Sequence, residues 1–245
     1  MPAPLAAGSD RSSPRHRKIR NISASQQIRD ALRDRIITLD LAPGENLSRG
    51  EIAEFYGVSQ TPVRDAMMRL EEEGLLHIYP QSKTEVSKID IDHARETQVL
   101  RLSLEIEVTR RLCSASHGSH AGDHAGDHDL GAAELALQRQ EQALAAQDLD
   151  SFSAHDRAFH RAFFEAAGVP ELWDLVTERS IHIDRLRHLN LPDPGKVAEI
   201  MAYHRRILDA VRTGDAVTAE AEVRGHLTGT LASVETIRAQ HPAFF

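Results

Sequence analysis

The sequence predicts a mainly α chain: a small three-helix unit closed by one β-hairpin, then an all-α antiparallel bundle of six or seven helices. Three observations carry this. Residues 47–76 divide into two short amphipathic segments around a glycine. Two β-rich runs follow at 75–79 and 84–87, separated by a Pro80-Gln81-Ser82-Lys83 turn. Beyond Ile89 strand signals vanish, and helical periodicity runs almost to the end.

Taken in order, residues 1–22 hold Arg11, Arg15, Arg17, Lys18 and Arg20. They read as a disordered basic arm, either merely solvated or adding nonspecific phosphate contacts. Ser23 to Leu39 is amphipathic, with Ile28, Leu32, Ile36 and Leu39 inward and Arg29, Arg33 and Arg35 outward; Pro43-Gly44 ends that element. Ser48 and Glu51 form a capping box for the next helix. Ile52, Ala53 and Phe55 supply its apolar face, and Gly57 the left-handed stop. Ser59 caps the third helix, with Pro62 in its first turn. Val63, Ala66, Met67 and Leu70 form its buried stripe, leaving Gln60, Thr61, Arg64 and Met68 outside. Such a pair is built either as a helical hairpin with a polar outer face or as a helix-turn-helix whose second helix enters the DNA major groove. The hairpin that follows occupies the place of a wing, so residues 23–90 read as a winged helix-turn-helix.

These residues resemble the N-terminal domain of GntR-type bacterial transcription regulators. The shared motifs are Pro43-Gly44, Leu47-Ser48, Ala53-Glu54, Gly57-Val58-Ser59 and Thr61-Pro62-Val63-Arg64. By that resemblance Arg64 is a base-contacting arginine and Thr61 a phosphate or base contact. The full set of expected DNA contacts is Arg49, Ser59, Gln60, Thr61, Arg64 and Lys83. Three departures stand out. Gln60 occupies a position where many members have arginine, Gly50 another, and the wing turn lacks the usual glycine. Glutamine reads adenine where arginine reads guanine, so the operator is expected to differ from the family's usual one.

Composition narrows the classes. At 245 residues and 41% hydrophobic content, one or two domains with a real core are expected. Cys113 is the only cysteine, which excludes a disulfide framework and a cysteine-rich zinc module. No stretch has the length of a membrane span, and the N-terminus lacks the apolar core of a signal peptide, so a cytoplasmic protein is expected. The net charge of −8 argues against nucleic acid until it is located. Residues 1–90 hold 13 basic and 13 acidic side chains, so the deficit lies wholly in residues 91–245.

That second part, residues 91–240, predicts helices at 91–115, 130–147, 149–167, 170–190, 196–213 and 215–238, joined by short Gly/Pro/Asp separators. Residues 116–130 interrupt it with a Gly/Asp-rich tract carrying His117, His120, His124 and His128. The tract offers metal-ligand side chains but no apolar frame, and reads as a flexible loop. Within the helices, Asp156 and His160 fall four apart on the stripe of Phe152, Phe159 and Phe163, so both point inward. His204 lies among Ile200, Tyr203, Ile207 and Leu208, and His226 beside Val223 and Leu227. One buried histidine is usually a hydrogen-bonded core residue. An aspartate and three histidines from three helices, all inward, point instead to a shared metal ion, because unpaired buried polar groups are costly.

The pattern over 150–231 resembles the FCD ligand-binding domain of the FadR-like branch of the same regulators. It is carried by Asp156-Arg157-Ala158-Phe159-His160, His204-Arg205-Arg206-Ile207 and His226-Leu227. The resemblance implies a divalent metal held by Asp156, His160, His204 and His226. Zinc is preferred, with nickel or manganese open, since this ligand set does not choose among them. It also implies a small carboxylate effector docking at the metal. Arg101 is its expected cationic partner, with a surface-paired Arg101 as the alternative, and Arg179, His182 and Asn190 are assigned to the same pocket. The expected protein is a homodimeric repressor of a palindromic DNA operator, with no membrane partner and no catalytic residues. The rivals are a regulator for which the ion is itself the signal, and a metal-dependent hydrolase or lyase. The latter would need an acid or base beside the metal, which the sequence does not offer.

Overall fold

The computed structural model describes residues 22–115 and 129–245. The expected basic arm lies outside the described residues apart from Ile22, and the His-rich tract apart from Asp129 and Leu130.

Helix α1 (Ala24–Ile37) starts where the Ser23 hydroxyl accepts the Gln26 N–H, and it buries Ile28, Leu32 and Ile36. Leu39, expected on that stripe, lies beyond the helix in a left-handed conformation (φ 65°), and Leu41 takes the buried place instead. Helix α2 (Arg49–Tyr56) is capped by the Ser48 hydroxyl and stopped by Gly57 at φ 64°. It buries Ile52 and Ala53, but Phe55 is 75% exposed, edge-on to Tyr56 and under the Arg35 guanidinium. The apolar expectation for Phe55 therefore fails: Tyr56, four residues after Ile52, takes the place packed against the core. Helix α3 (Gln60–Glu72) buries Val63, Ala66, Met67 and Leu70 as the stripe requires. Ser59 stands at its N-cap with extended backbone, yet its hydroxyl makes no capping bond, contrary to expectation.

Strands β1 (Leu76–Tyr79) and β2 (Lys83–Val86) pair antiparallel, Leu76 opposite Val86 and Tyr79 opposite Lys83. Gln81 supplies the positive φ (57°) of the wing turn in place of glycine.

The rest is helical: α4 (Ile91–Ala115), α5 (Gly131–Ala145), α6 (Leu149–Ala166), α7 (Pro170–Arg179), α8 (Ile181–Asn190), α9 (Pro194–Thr213), α10 (Ala216–Ala232) and α11 (Val234–Gln240). The spans expected at 170–190 and 215–238 are each broken at a serine, Ser180 and Ser233. Both hydroxyls donate back to a carbonyl one turn earlier, Ser180 to Val176 (2.7 Å) and Ser233 to Gly229 (3.4 Å), a habit that weakens helix continuity. No helix among the described residues is long and apolar enough to cross a membrane.

The break at Ser180 matters because of what α8 then reaches. Ile181 enters the core of the N-terminal unit with Ile28, Leu32, Met67 and Leu70. Arg185, fully buried, donates from Nη1 to the Ser87 carbonyl (2.6 Å) and from Nη2 to the Lys88 carbonyl (3.4 Å), in the segment between β2 and α4. His182 Nδ1 accepts the Asp90 N–H (3.0 Å) and faces Arg185 Nη2 (3.0 Å).

Burial, with the Arg185 charge alongside, pushes the His182 imidazole from an ordinary 6.5 down to about 3. The folded ring stays neutral over a range in which the unfolded ring takes up a proton. Stability from this group is complete above pH 6.5 and is lost as pH falls toward 3.

Two outcomes follow for the full chain. Ile181→Ala, although distant in sequence, should lower the stability of the N-terminal unit by about 2–5 kcal/mol in urea titrations. An unchanged midpoint would mean that the contact carries no packing energy. In chelator-treated protein, acidification from about pH 7 to about pH 5 should cost His182→Gln less stability than wild type; equal losses would remove His182 as the cause.

Candidate metal centre and nucleic-acid face

Helix α6 places Asp156 and His160 on its buried face beside Phe159 and Phe163; His204 arrives from α9 and His226 from α10. Each offers a ligand atom within 4.8 Å of all the others. His226 Nε2 lies 3.1 Å from His160 Nε2 and 3.2 Å from His204 Nε2. Asp156 Oδ1 stands 3.6 Å from His204 Nε2.

The outer bonds decide which ring nitrogens face inward. His160 Nδ1 meets the Glu105 carboxylate (2.7 Å), and His204 Nδ1 meets Gln140 Oε1 (2.8 Å). Both partners are acceptors, so both Nδ1 atoms carry the proton, and both Nε2 lone pairs point at the centre. Burial pushes His204 down to about 3, and burial together with the neighbouring imidazoles pushes His226 well down. Neutral imidazole is the ligating form. Burial alone would raise the Asp156 and Glu105 carboxyls. The Arg187 guanidinium and the three surrounding histidines together outweigh it at Asp156, which is held well below the usual carboxylate range; Arg101 and His160 outweigh it at Glu105, held at about 2.

These residues fit a divalent ion. Asp156 Oδ1 is buried without a hydrogen-bond partner and lies beside converging nitrogen lone pairs. Imidazole nitrogens bound to one ion at about 2.0–2.1 Å stand roughly 3 Å apart, close to the separations here.

A small cavity of about 40 Å³ adjoins the cluster, lined by Gln98, Arg101, Arg187, Asn190, Tyr203 and His226 among others. Arg101 is buried as expected, pairing through Nε with Glu105 (2.5 Å), while its Nη2 lacks a partner. Asn190 also lines the cavity. The other two expected pocket residues do not. Arg179 ends α7 on the exposed side, and His182 is committed to the segment between the two units, because the chain turns at Ser180.

Sequence reasoning missed Glu105, Gln140, Arg187 and Tyr203. Two had a local signal. Glu105 is four residues from Arg101 on the same face, and Gln140 interrupts the alanine stripe of Ala133, Ala136 and Ala143 in α5. Arg187 had none, since its partner Asp156 is on another helix.

At the other end of the molecule, Arg49, Ser59, Gln60, Thr61, Arg64 and Lys83 are all exposed. An open groove of about 850 Å³ runs between α3 and the wing, lined by Arg49, Arg64, Met68, Tyr79 and Lys83.

Comparison with known proteins agrees with both halves. Residues 24–86 match the bacterial regulatory proteins of the gntR family, and residues 96–229 match the FCD domain. The chain is 34% identical over 214 residues to an HTH-type transcriptional regulator in an unstable DNA locus of Streptomyces ambofaciens, covering 87% of this chain and 86% of that one. It is 29% identical over 221 residues to the HTH-type transcriptional repressor RspR of Escherichia coli strain K12, covering 90% and 93%. The solved structure of E. coli McbR/YncC matches with a TM-score of 0.71 over 90% of this chain and 100% of that one; at 19% identity this is a likeness of fold. The chain therefore belongs to the GntR family of bacterial regulatory proteins, with a winged helix-turn-helix followed by an FCD domain, and is a transcriptional regulator.

Proposed function

We propose that this regulator is a homodimeric repressor whose hold on a palindromic operator is changed by a small carboxylate docking at a metal ion in the FCD domain. Residues 23–90 form the DNA-binding unit in this reading, and residues 91–240 the sensing unit. Asp156, His160, His204 and His226 hold the ion, with zinc preferred over nickel or manganese. An ion so held supplies a Lewis-acidic position for an oxygen ligand. Arg101 and Asn190 meet the acid from the cavity wall, and Glu105 and Gln140 keep the imidazoles turned.

The observation that carries the reading is the pairing of two features: converging imidazole nitrogens beside an unpartnered carboxylate oxygen, and a buried Arg101, its Nη2 unpartnered, lining the adjoining cavity. Charge supports an anionic effector. Asp156 and Glu105 are already balanced by Arg187 and Arg101, so a divalent ion adds positive charge that an incoming carboxylate would offset. The sign, repressor rather than activator, draws on RspR, which is named a repressor. Coupling requires only that the acid bind the DNA-competent and DNA-incompetent arrangements unequally.

On the DNA, Gln60, Thr61 and Arg64 read bases or position the start of α3, while Arg49, Ser59 and Lys83 hold the backbone. Arg64→Ala should weaken specific operator binding by about tenfold or more. Lys83→Ala should weaken it evenly across sequences and flatten the salt dependence. The reverse pattern would exchange these roles.

For the sensing half, His204→Ala should lose bound metal and melting temperature together, and retained metal would overturn the ligand set. Operator titrations with zinc-loaded protein and a panel of small mono- and dicarboxylic acids should give a shift in affinity for at least one of them. A response to zinc alone, with none to any acid, would make the ion the signal.

A further inference from the structure

Helix α8 packs against both α1 of the winged helix and α4 and α10 of the FCD bundle. Its Ile181 is part of the winged-helix core, and its His182 and Arg185 hold the segment 87–90 through backbone atoms of Ser87, Lys88 and Asp90. Six residues on from Ile181, about 120° away around the helix, Arg187 reaches the FCD interior. Its guanidinium pairs with Asp156 Oδ2 and lies 4.0 Å from Asp184. Arg187 also lines two spaces at once: the cavity beside His226, and a cleft of about 370 Å³ between the domains that Arg33, Asp34 and Thr38 of α1 close from the other side.

We propose that Arg187 is the positioning residue that ties the centre to the DNA-binding domain. The proposal rests on reading Asp156 and the three histidines as a metal centre. Asp156 has two oxygens with different commitments, Oδ1 facing the imidazoles and Oδ2 held by Arg187. An ion that engages Oδ1 fixes the carboxylate, and through the ion pair it fixes Arg187. An anion entering the cavity competes with Asp156 for the same guanidinium. Either event bears on α8 as a unit, because a ten-residue helix moves as a rigid piece. The buried Arg185 passes that movement to the carbonyls of Ser87 and Lys88. Arg33 gives α1 a second contact, donating to the Thr177 carbonyl (3.1 Å) in the helix that precedes α8.

The test is hydrogen exchange on the full chain, stripped with chelator and then titrated with zinc, with bound metal measured in parallel. In wild type, zinc should slow exchange in α8 and at residues 87–90, where the Asp90 amide reports directly on His182. Arg187→Gln, compared with wild type at full zinc occupancy, should lose that distant protection. If the uncharged variant does not fold, Arg187→Lys carries the same test, since an ammonium keeps the charge opposite Asp156 without the guanidinium's forked reach. Full zinc-dependent protection at 87–90 in either folded variant overturns the proposal, as does wild type that binds zinc with no change there. Failure of wild type to bind zinc would instead sink the metal centre itself, and the two failures are told apart by the metal measurement.

Discussion

A set of polar side chains buried where helices α4, α5, α6, α8, α9 and α10 converge constrains the rest of the FCD bundle. Each unpaired group in such a place costs several kcal/mol, so the neighbours are arranged to leave few of them unpaired. Glu105 and Gln140 fix two imidazoles from outside, Arg101 answers Glu105, and Arg187 answers Asp156. Among the atoms left without a partner, Asp156 Oδ1 lies beside the converging Nε2 atoms. The rings of His160 and His204 cannot turn without giving up these outer bonds, so their donors stay aligned. Phe159 stacked on His204 (4.1 Å between ring centres) and Trp173 stacked on His160 (6.1 Å) close the apolar wall around them.

The second constraint is the seam between the domains. A continuous helix over 170–190 would leave Ile181 and Arg187 on directions set by α7. The stop at Ser180 frees α8 to take its own axis, with one side against the winged helix and the other against the centre. The seam is partly apolar, at Ile181, and partly a buried guanidinium bonded to backbone carbonyls, at Arg185. Apolar contact there stabilises without fixing register; the hydrogen bonds to Ser87 and Lys88 fix it.

The DNA-facing surface shows how a family pattern survives local departures. The wing turn has no glycine, and Gln81 adopts φ 57° instead, a conformation costing a non-glycine residue about 1–2 kcal/mol. The Tyr79–Lys83 pairing of the hairpin is closed all the same. Phe55 faces outward because a helix as short as α2 has room for one inward turn, and Ile52, Ala53 and Tyr56 fill it.

By itself, the sequence determined most of the succession of elements, the winged helix, and the inward faces of Asp156, His160, His204 and His226, because helical periodicity places side chains on faces without reference to anything distant. Stripes such as Val63, Ala66, Met67 and Leu70 were legible for the same reason, as was the inward Arg101. Only the tertiary structure decided the contacts between helices: Arg187 with Asp156, Gln140 with His204, and Ile181 in the core of a domain ending some ninety residues before it. It also took His182 away from the cavity and gave it to the segment between the domains, since a helix break at one serine redirects every side chain after it. Periodicity fixes the face of a helix that a residue occupies, and the packing of helices on one another fixes what that face meets.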